Sequence, residues 1–284
     1  MSEYVPQASA AASATLVRAG LGLETRGLDR PIGRAEWPLS LKRTGGLRRR
    51  RTLPEVKILA VDVGGTHVKV LASDQTEPCK INSGPTMSAA EMVASVVKVT
   101  ADWTYDVVSL GYPGPVVHGV PMKEPANLGP GWVGFDYQAA FGRPTRIVND
   151  AAMQALGAYS GGRMLFLGLG TGLGSAMIVD GVVAPMELAH LPYRKGRTYE
   201  DYVGLRGLTR RGKKKWRQEV FAVVAELSAA LAPEYVVLGG GNARLLRSLP
   251  PNTRLCSNAD AFTGGFRLWA ESAIPAPVGL IATQ

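Results

Sequence analysis

The folded part of the chain is predicted to begin at Val56, where short aliphatic runs start to alternate with glycine-rich turns. The runs at 56–63 and 67–72 flank Gly64-Gly65-Thr66, which predicts two strands joined by a hairpin turn. Residues 89–100 carry apolar side chains at helical spacing and predict a helix. A run at 107–110 then predicts a strand that leads into the loop Gly111-Tyr112-Pro113-Gly114-Pro115.

The second half of the chain repeats this pattern of strand, glycine turn and strand. Its predicted strands are 145–148, 164–169, 175–179 and 235–238, and its predicted helices are 151–159, 213–231 and 262–273. The turn Gly170-Thr171-Gly172-Leu173-Gly174 lies between two of these strands, as Gly64-Gly65-Thr66 does in the first half. Because glycine lets the backbone approach a ligand closely, a phosphate chain could be clamped between the two turns.

Residues 1–55 show no helical or strand period, and Ala/Ser repeats give way there to scattered glycines and four consecutive arginines at 48–51. This composition predicts a disordered, Arg-rich tail. A targeting segment of the transit-peptide kind and a misassigned start codon remain alternatives. We therefore divide the chain into a tail at 1–55, a first lobe at 56–148 and a second lobe at 149–284.

Composition narrows the class of protein. The chain has 284 residues, of which 46% are hydrophobic, enough to bury a substantial core. No run approaches the roughly 18 apolar residues of a membrane span, so we expect a soluble protein without a membrane partner. Two cysteines exclude a disulfide framework and a Cys-rich metal site, which fits a cytoplasmic location. The net charge of +9 is uneven, because residues 1–55 alone contribute +5.

The first glycine turn belongs to the motif Asp62-Val63-Gly64-Gly65-Thr66-His67-Val68-Lys69. Glycine allows backbone N–H groups to point at an anion, and the Thr66 hydroxyl adds a donor. The Asp62 carboxylate could hold Mg²⁺, usually through water. By itself the motif is equally consistent with an ordinary Gly-Gly hairpin.

Asp150 follows Asn149 at the end of a predicted strand, just before a predicted helix. An isolated aspartate in this place is most simply a helix N-cap. Between two turns that can bind phosphate, however, a carboxylate is also what phosphoryl transfer to an alcohol requires. It would accept the hydroxyl proton and align the oxygen with the phosphorus.

Two further groups of polar residues lie in the second half. Glu187 and His190 are three residues apart, so they could face one way on a helical turn and bind vicinal sugar hydroxyls. A polar pair on a loop is the simpler alternative, and metal ligation is not expected because no Cys or His cluster follows. The basic run at 206–217 is most simply a solvated helix face, and a track for a long polyanion is the alternative.

Taken together, these motifs resemble those of the ROK family of sugar kinases and regulators, and within it most of all the polyphosphate glucokinases. Six motifs occur in the family's order: Asp62-Val63-Gly64-Gly65-Thr66, Gly111-Tyr112-Pro113-Gly114, Asn149-Asp150, Gly170-Thr171-Gly172-Leu173-Gly174, Glu187-Leu188-Ala189-His190 and Gly239-Gly240-Gly241. The resemblance covers roughly residues 56–273. It implies an α/β, two-lobed fold of the actin and hexokinase kind (ribonuclease H-like), with a central cleft and a final helix that returns to the first lobe.

The resemblance also implies residue roles. Asp150 would be the catalytic base, and the sugar would be lined by Asn127, Asn149, Asp150, Glu187, His190 and Glu200. Phosphate and nucleotide contacts are expected from Asp62, Gly64, Gly65, Thr66, Lys69, Gly170, Thr171, Gly172, Gly174, Gly239, Gly240 and Gly241. Many family members carry a Cys-rich zinc motif after the position of His190, but 191–204 contains no cysteine, so zinc is not expected.

The expected activity is phosphorylation of the 6-hydroxyl of glucose with polyphosphate, ATP or both, with Mg²⁺ and with Asp150 as base. We expect a homodimer and no nucleic-acid partner. A sugar-responsive ROK regulator and a non-catalytic sugar sensor are the alternatives. Residues 1–55 lack the period of a helix-turn-helix domain, which argues against the regulator. Mannose or an N-acetylated hexose remains open as the substrate.

Overall fold

The computed structural model describes residues 56–257 and 259–270, which lie within one compact unit, Thr52–Gln284. The predicted tail at 1–55 and the last part of the predicted final helix, 271–273, lie outside the described residues. The described backbone is a mixture of strands and helices, as expected for an α/β protein.

The strands are Ile58–Val63 (β1), His67–Ala72 (β2), Cys79–Asn82 (β3), Val107–Tyr112 (β4), Val116–Val117 (β5), Val120–Pro121 (β6), Thr145–Asn149 (β7), Arg163–Leu169 (β8), Leu173–Val179 (β9), Val182–Met186 (β10), Tyr235–Gly239 (β11) and Thr253–Leu255 (β12). The helices are Ala89–Val99 (α1), Tyr137–Phe141 (α2), Asp150–Ala158 (α3), Glu200–Val203 (α4), Leu205–Leu231 (α5) and Asp260–Arg267 (α6). Short 3-10 turns form at Leu188–His190 and Ala243–Leu245.

Two five-stranded sheets share one topology. The first has the order β3-β2-β1-β4-β7 and the second the order β10-β9-β8-β11-β12. In each, the first three strands in the chain pair antiparallel in order, and two later strands add in parallel beside the first of them. The repeated pattern of the sequence therefore corresponds to a repeated sheet, with one glycine turn at the end of the first strand of each.

The second sheet is covered by helices on both faces. Strand β8 alternates, sending Leu165 and Leu167 into a cluster with α5 and Trp216, and sending Phe166 into a cluster with α3 and α6. This alternation is what a strand buried on both faces requires. Helix α3, which begins at Asp150, is thereby fixed between the second sheet and α6.

Helix α6 also packs against strands β1 and β4 of the first sheet. The Ser109 hydroxyl of β4 donates to the carbonyl of Gly265 at 2.6 Å, and the Trp269 indole N–H donates to the same hydroxyl at 2.9 Å. Helices α3 and α6 approach closely, since a Cβ at Gly157 or at Gly264 would overlap the backbone of the other helix. The boundary between lobes at 148/149 stays a prediction.

Several boundaries differ from the sequence prediction. Strand β4 continues to Tyr112 because it pairs with β1 and β7 on both sides, so the predicted loop begins two residues later. The helix predicted from residue 213 extends back to Leu205, and the two parts are separated by Gly212 at φ 72°. The predicted start therefore coincides with this break. Among the described residues, no helix has the length and hydropathy needed to cross a membrane.

Candidate active site

The first glycine turn is braced by the neighbouring strand β3. The Gly64 N–H donates to the carbonyl of His67 at 3.0 Å, and the Ser83 hydroxyl donates to the Gly64 carbonyl at 2.6 Å. The Ser83 N–H donates to the Thr66 carbonyl at 3.0 Å. Within the described part of the chain, the N–H groups of Gly65 and Thr66 have no acceptor, so they are available to an anion.

Asp62 and Lys69 face each other across the hairpin. They are register partners in the β1–β2 ladder, and the Lys69 ammonium lies 3.2 Å from an Asp62 carboxylate oxygen, with both side chains largely buried. Lys69 therefore provides the counter-charge of Asp62. The contact between Lys69 and a phosphate group stays a prediction. One Asp62 oxygen remains outside this pair, which fits an Mg²⁺ ion held mainly by donor phosphates and water.

The second glycine turn is braced from two sides. The Gly170 N–H donates to the Gly172 carbonyl at 3.1 Å, while the Gly170 carbonyl accepts from the Asn242 amide at 2.9 Å and the Leu205 N–H at 3.1 Å. Asn242 was not identified from the sequence, although a polar residue directly after three glycines was a usable signal. A Cβ at Gly174 would lie 2.8 Å from the Ala151 side chain, so the turn lies against the start of α3.

The motif Gly239-Gly240-Gly241 serves in part to allow close packing. Gly239 is buried, and a Cβ there would meet the Phe166 ring at 2.7 Å and the Cys256 sulfur at 2.9 Å. Gly240 adopts φ 80° against Leu169, while Gly241 is exposed. The structure therefore gives Gly239 a packing role, and only Gly240 and Gly241 present backbone to solvent.

Asn149, and not Asp150, is the N-cap of helix α3. The Asn149 carboxamide oxygen accepts from the Ala152 N–H at 3.1 Å, and its amide group donates to the Gly114 carbonyl at 3.1 Å. Asp150 occupies the first helical position and accepts from the Ala151 N–H at 2.8 Å. The simple explanation of Asp150 as the helix cap is therefore wrong, because its neighbour already does that work.

The surroundings of Asp150 favour its neutral form. Burial raises the pKa of its carboxyl to about 7, and the negative charges of Asp62 and Glu187 act in the same direction. The hydrogen bond from the Ala151 N–H opposes the shift by stabilising the carboxylate. A carboxyl with a pKa this close to neutrality can both accept and release a proton near pH 7, as acid–base catalysis requires.

Glu187 directly precedes the 3-10 turn Leu188–His190, and His190 is its last residue, so the two side chains flank a single turn. Ser175 fixes this turn, because its hydroxyl donates to the Met186 carbonyl at 2.8 Å and accepts from the Leu188 N–H at 3.2 Å. Burial raises the pKa of the Glu187 carboxyl, while His190 and Lys123 lower it. Neither Ser175 nor Lys123 was identified from the sequence, because both act through partners distant in the chain.

Two more predicted sugar-binding residues lie beside the glycine turns. The Asn127 Cβ would lie 3.0 Å from a Cβ at Gly65, and the Glu200 carboxylate occupies the space that a Cβ at Gly172 would need. Glu200 also raises the pKa of Glu187 through its negative charge, which places the two carboxylates in one neighbourhood. The structure thus brings Asp62, Asp150, Glu187, His190 and Glu200 together.

The basic residues at 206–217 on α5 fall into two groups, the arginines and the lysines. The arginines are engaged in intramolecular contacts: Arg206 pairs with Asp201 at 2.8 Å, Arg211 with Glu219 at 2.6 Å, and Arg217 donates to the Leu245 carbonyl at 2.7 Å. The three lysines at 213–215 are exposed and make no ion pair with any described residue. The solvated-face interpretation therefore applies to these lysines and also to Arg206, whose side chain is 71% exposed despite its ion pair, whereas that of Arg211 is 30% exposed. Throughout 56–257 and 259–270, no three His, Cys, Asp or Glu side chains are grouped to hold a metal ion.

Known proteins resemble the chain in both sequence and structure, although no family model matches it. The polyphosphate glucokinase of Mycobacterium tuberculosis (strain CDC 1551 / Oshkosh) is 27% identical over 208 residues, covering 65% of this chain and 77% of the relative. The inorganic polyphosphate/ATP-glucomannokinase of Arthrobacter sp. strain KM superposes with a TM-score of 0.64 at 24% identity, covering 75% of this chain and 97% of that one. A ROK family glucokinase from Streptomyces griseus, solved with glucose and AMPPNP, gives a TM-score of 0.61 at 16% identity, covering 75% and 98%.

These comparisons confirm the expected fold, the two-lobed α/β fold of the actin and hexokinase kind. They also confirm the resemblance to ROK sugar kinases, which is strongest in sequence to polyphosphate glucokinases.

Proposed function

We propose that this protein is a kinase that transfers a phosphoryl group from polyphosphate, ATP or both to the 6-hydroxyl of glucose or a similar hexose. The observation that carries the proposal is Asp150, a carboxyl with a pKa of about 7 at the start of α3. The next residue, Ala151, lies against Gly174 of the second glycine turn, and the charge of Asp62, which lies just before the first glycine turn, contributes to the raised pKa. The polyphosphate glucokinases among its sequence relatives support this reaction class.

Asp150 would act as the general base. Its carboxylate would accept the proton of the sugar hydroxyl as the oxygen attacks phosphorus, and would hold that oxygen in line with the donor. The Ala151 N–H, at 2.8 Å, fixes one carboxylate oxygen and leaves the other for the hydroxyl. Because Asn149 caps the helix, Asp150 can change its protonation state without uncapping α3.

The sugar would be held by the polar side chains around Asp150. Glu187 and Glu200 can accept hydrogen bonds from vicinal hydroxyls, and His190 can donate or accept. Asn149 can contribute only a little, since its oxygen caps α3 and one amide hydrogen is donated to Gly114. Directional hydrogen bonds of this kind would select hydroxyl stereochemistry, which is how one hexose is chosen over another.

The donor would lie between the two glycine turns. The N–H groups of Gly65 and Thr66, which have no acceptor among the described residues, would bind the donor on one side, and the backbone of the turn at 170–174 would bind it on the other. Mg²⁺, when bound near Asp62, would neutralise charge on the donor phosphates. No adenine-specific side chain is needed for this arrangement, so it serves ATP and polyphosphate alike.

The test is product formation by the purified protein with glucose and Mg²⁺, offered ATP and polyphosphate in separate reactions. We expect glucose 6-phosphate with at least one donor. Absence of product with both donors, across glucose, mannose and N-acetylated hexoses, would refute the kinase proposal. Glucose binding without any turnover, measured by calorimetry, would instead identify a sugar sensor.

A further inference from the structure

A buried acidic residue, Glu219, connects helix α5 to the loop at 191–204. Its side chain is only 11% exposed, and three groups converge on its carboxylate. Arg211 pairs with one oxygen at 2.6 Å, while Arg194 lies 3.7 Å from the other and the Tyr193 hydroxyl donates to that oxygen at 3.4 Å. Arg211 belongs to α5, whereas Arg194 and Tyr193 belong to the loop, so one carboxylate joins the two segments.

The loop is itself a rigid unit. The Tyr193 N–H donates to the Arg197 carbonyl at 2.8 Å, and the Tyr199 N–H donates to the Leu191 carbonyl at 3.3 Å. The Tyr193 ring stacks on Tyr199 with centroids 4.6 Å apart and packs edge-on to Tyr202 at 5.0 Å. Because the loop holds its own shape, an attachment at Tyr193 and Arg194 helps to fix the whole unit, together with the hydrogen bond of 2.8 Å from the Trp216 indole N–H to the Val203 carbonyl.

The loop directly follows one predicted sugar-binding residue and contains another. It starts directly after His190, and it contains Glu200 at the first position of α4. Glu200 lies against the second glycine turn, where its carboxylate borders Gly172. A shift of the loop relative to α5 would therefore move Glu200 with respect to both the sugar and the donor.

Removal of the Glu219 carboxylate would leave two arginines without their shared counter-charge. Arg194 and Arg211 would lose the carboxylate that they share, and the buried Arg211 Nε already has no acceptor among the described residues. Two guanidinium groups without their common counter-charge repel each other and draw water. The Arg194–Glu226 contact, at 3.9 Å with both side chains half exposed, is too weak to replace it.

We infer that Glu219 is a positioning residue, which holds the loop at 191–204 on α5 and thereby sets the place of Glu200 for sugar binding. The identity of the ligand rests on the proposed function, but the attachment of the loop does not. Glu219 acts through Arg194, Tyr193 and the loop.

The test compares Glu219→Gln with the wild-type protein and with Glu226→Gln as the matched control. Glu226 lies on the same helix and contacts the same Arg194, but it is half exposed. For Glu219→Gln we expect the calorimetric Kd and the KM for glucose to rise at least 10-fold, while the KM for the donor stays within about twofold. Hydrogen exchange of the peptide at 191–204 should become faster, and Glu226→Gln should change none of these values.

A purely structural role would lower the melting temperature but leave glucose affinity and the ratio of the two KM values unchanged, which would overturn the inference. If Glu219→Gln does not fold, Tyr193→Phe removes only the hydroxyl that donates to Glu219 and keeps the aromatic stack. It should raise the glucose Kd two- to fivefold and speed exchange at 191–204, and no change in either would also overturn the inference. If the wild-type protein binds none of glucose, mannose and the N-acetylated hexoses, the proposed function fails, and the exchange measurement decides the loop attachment alone.

Discussion

Asn149 and Asp150 divide two tasks that a single side chain could not perform together. A capping carboxylate must stay ionised and bound to backbone N–H groups, whereas a general base must take up a proton during each turnover. Asn149 satisfies the Ala152 N–H and anchors the Gly114 loop, so Asp150 needs to hold only the Ala151 N–H. The pair therefore gives a stable helix start beside a carboxyl that is free to titrate.

The substitution Asp150→Asn tests the base directly. The carboxamide keeps the size and the hydrogen bond to Ala151 but cannot accept the hydroxyl proton, so kcat should fall about 10²–10⁴-fold. The Kd for glucose should change by less than about threefold. Asp74→Asn, at an exposed ion pair with Lys57, is the control and should leave kcat unchanged. Near-normal turnover in Asp150→Asn would remove Asp150 from the role of base.

The pH dependence follows from the same carboxyl. Asp150 must be ionised to act as a base, and its pKa is raised to about 7. The value of kcat/KM for glucose should therefore increase with pH, reach half of its maximum near pH 7 and level off above about pH 8. Because the Glu187 carboxylate contributes to the raised pKa, Glu187→Gln should move the midpoint to lower pH even though it also weakens sugar binding. A profile that is flat between pH 5 and 8 would contradict the assignment.

Site residues that could be identified from their local sequence were predicted. Site residues whose role depends on a partner distant in the chain were not. Asp62, Asp150 and the two glycine turns stood out because their residue types follow strand ends and suit anion binding. Lys123 and Ser175 gave no comparable signal, since each acts through a residue more than ten positions away. Asn242 directly follows three glycines, but its partner Gly170 lies 72 positions away, so its role could not be predicted. The sequence also could not show that Lys69 faces Asp62, which depends on strand register.

At the scale of elements, helices α3 and α6 are held at unusually close range by glycine. A Cβ at Gly157 would overlap the Asp260 carbonyl, and a Cβ at Gly264 would overlap that of Met153. Close approach lets α6 contact both α3 and the first sheet, so it ties the base-bearing helix to strands β1 and β4. The packing of α6 thus stabilises the position of Asp150 relative to Asp62.

Gly157→Ala should therefore destabilise the protein without touching the substrate. The added methyl group must push the two helix backbones apart, at a cost of roughly 1–3 kcal/mol, which lowers the melting temperature by several degrees. Gly84→Ala is the matched control, because a Cβ there meets nothing within 4 Å. Equal melting temperatures for the two variants, measured by calorimetry, would show that the helices can separate at no cost.

Among the elements, the long and strongly patterned ones were predicted well. The hairpin strands and α1 follow the sequence pattern to within two residues, because burial on one or both faces imposes a clear period. Short elements such as β3, β12, α2 and α4 were missed, since three to five residues carry too little pattern. The first part of α5 was missed as well, because Gly207 and Gly212 interrupt its period and its position depends on packing against Tyr202.

At the scale of the whole molecule, the distribution of charge bears on the choice of donor. Of the net charge of +9, residues 56–284 contribute only +4, so the catalytic part of the chain is not strongly basic overall. Its arginines at 206, 211 and 217 are occupied by carboxylates or carbonyls, whereas the lysines at 213–215 are exposed. The first residue of α5, Leu205, donates to the second glycine turn. The lysines follow directly after the break at Gly212, so an extended donor held at that turn would reach them by passing along the first part of α5 and beyond this break.

Replacement of all three lysines at 213–215 by glutamine distinguishes a long donor from a short one. A bound ATP would end near the glycine turns, whereas a long polyphosphate would extend along α5, so the KM for long polyphosphate should increase more than the KM for ATP. The difference should shrink as salt is added, because contacts between exposed charges are screened. Lys80→Gln combined with Lys98→Gln removes exposed cations from the first lobe as a control and should change neither KM. Equal increases for both donors would mean that the lysines act through general stability or net charge, and that the polyanion does not follow α5.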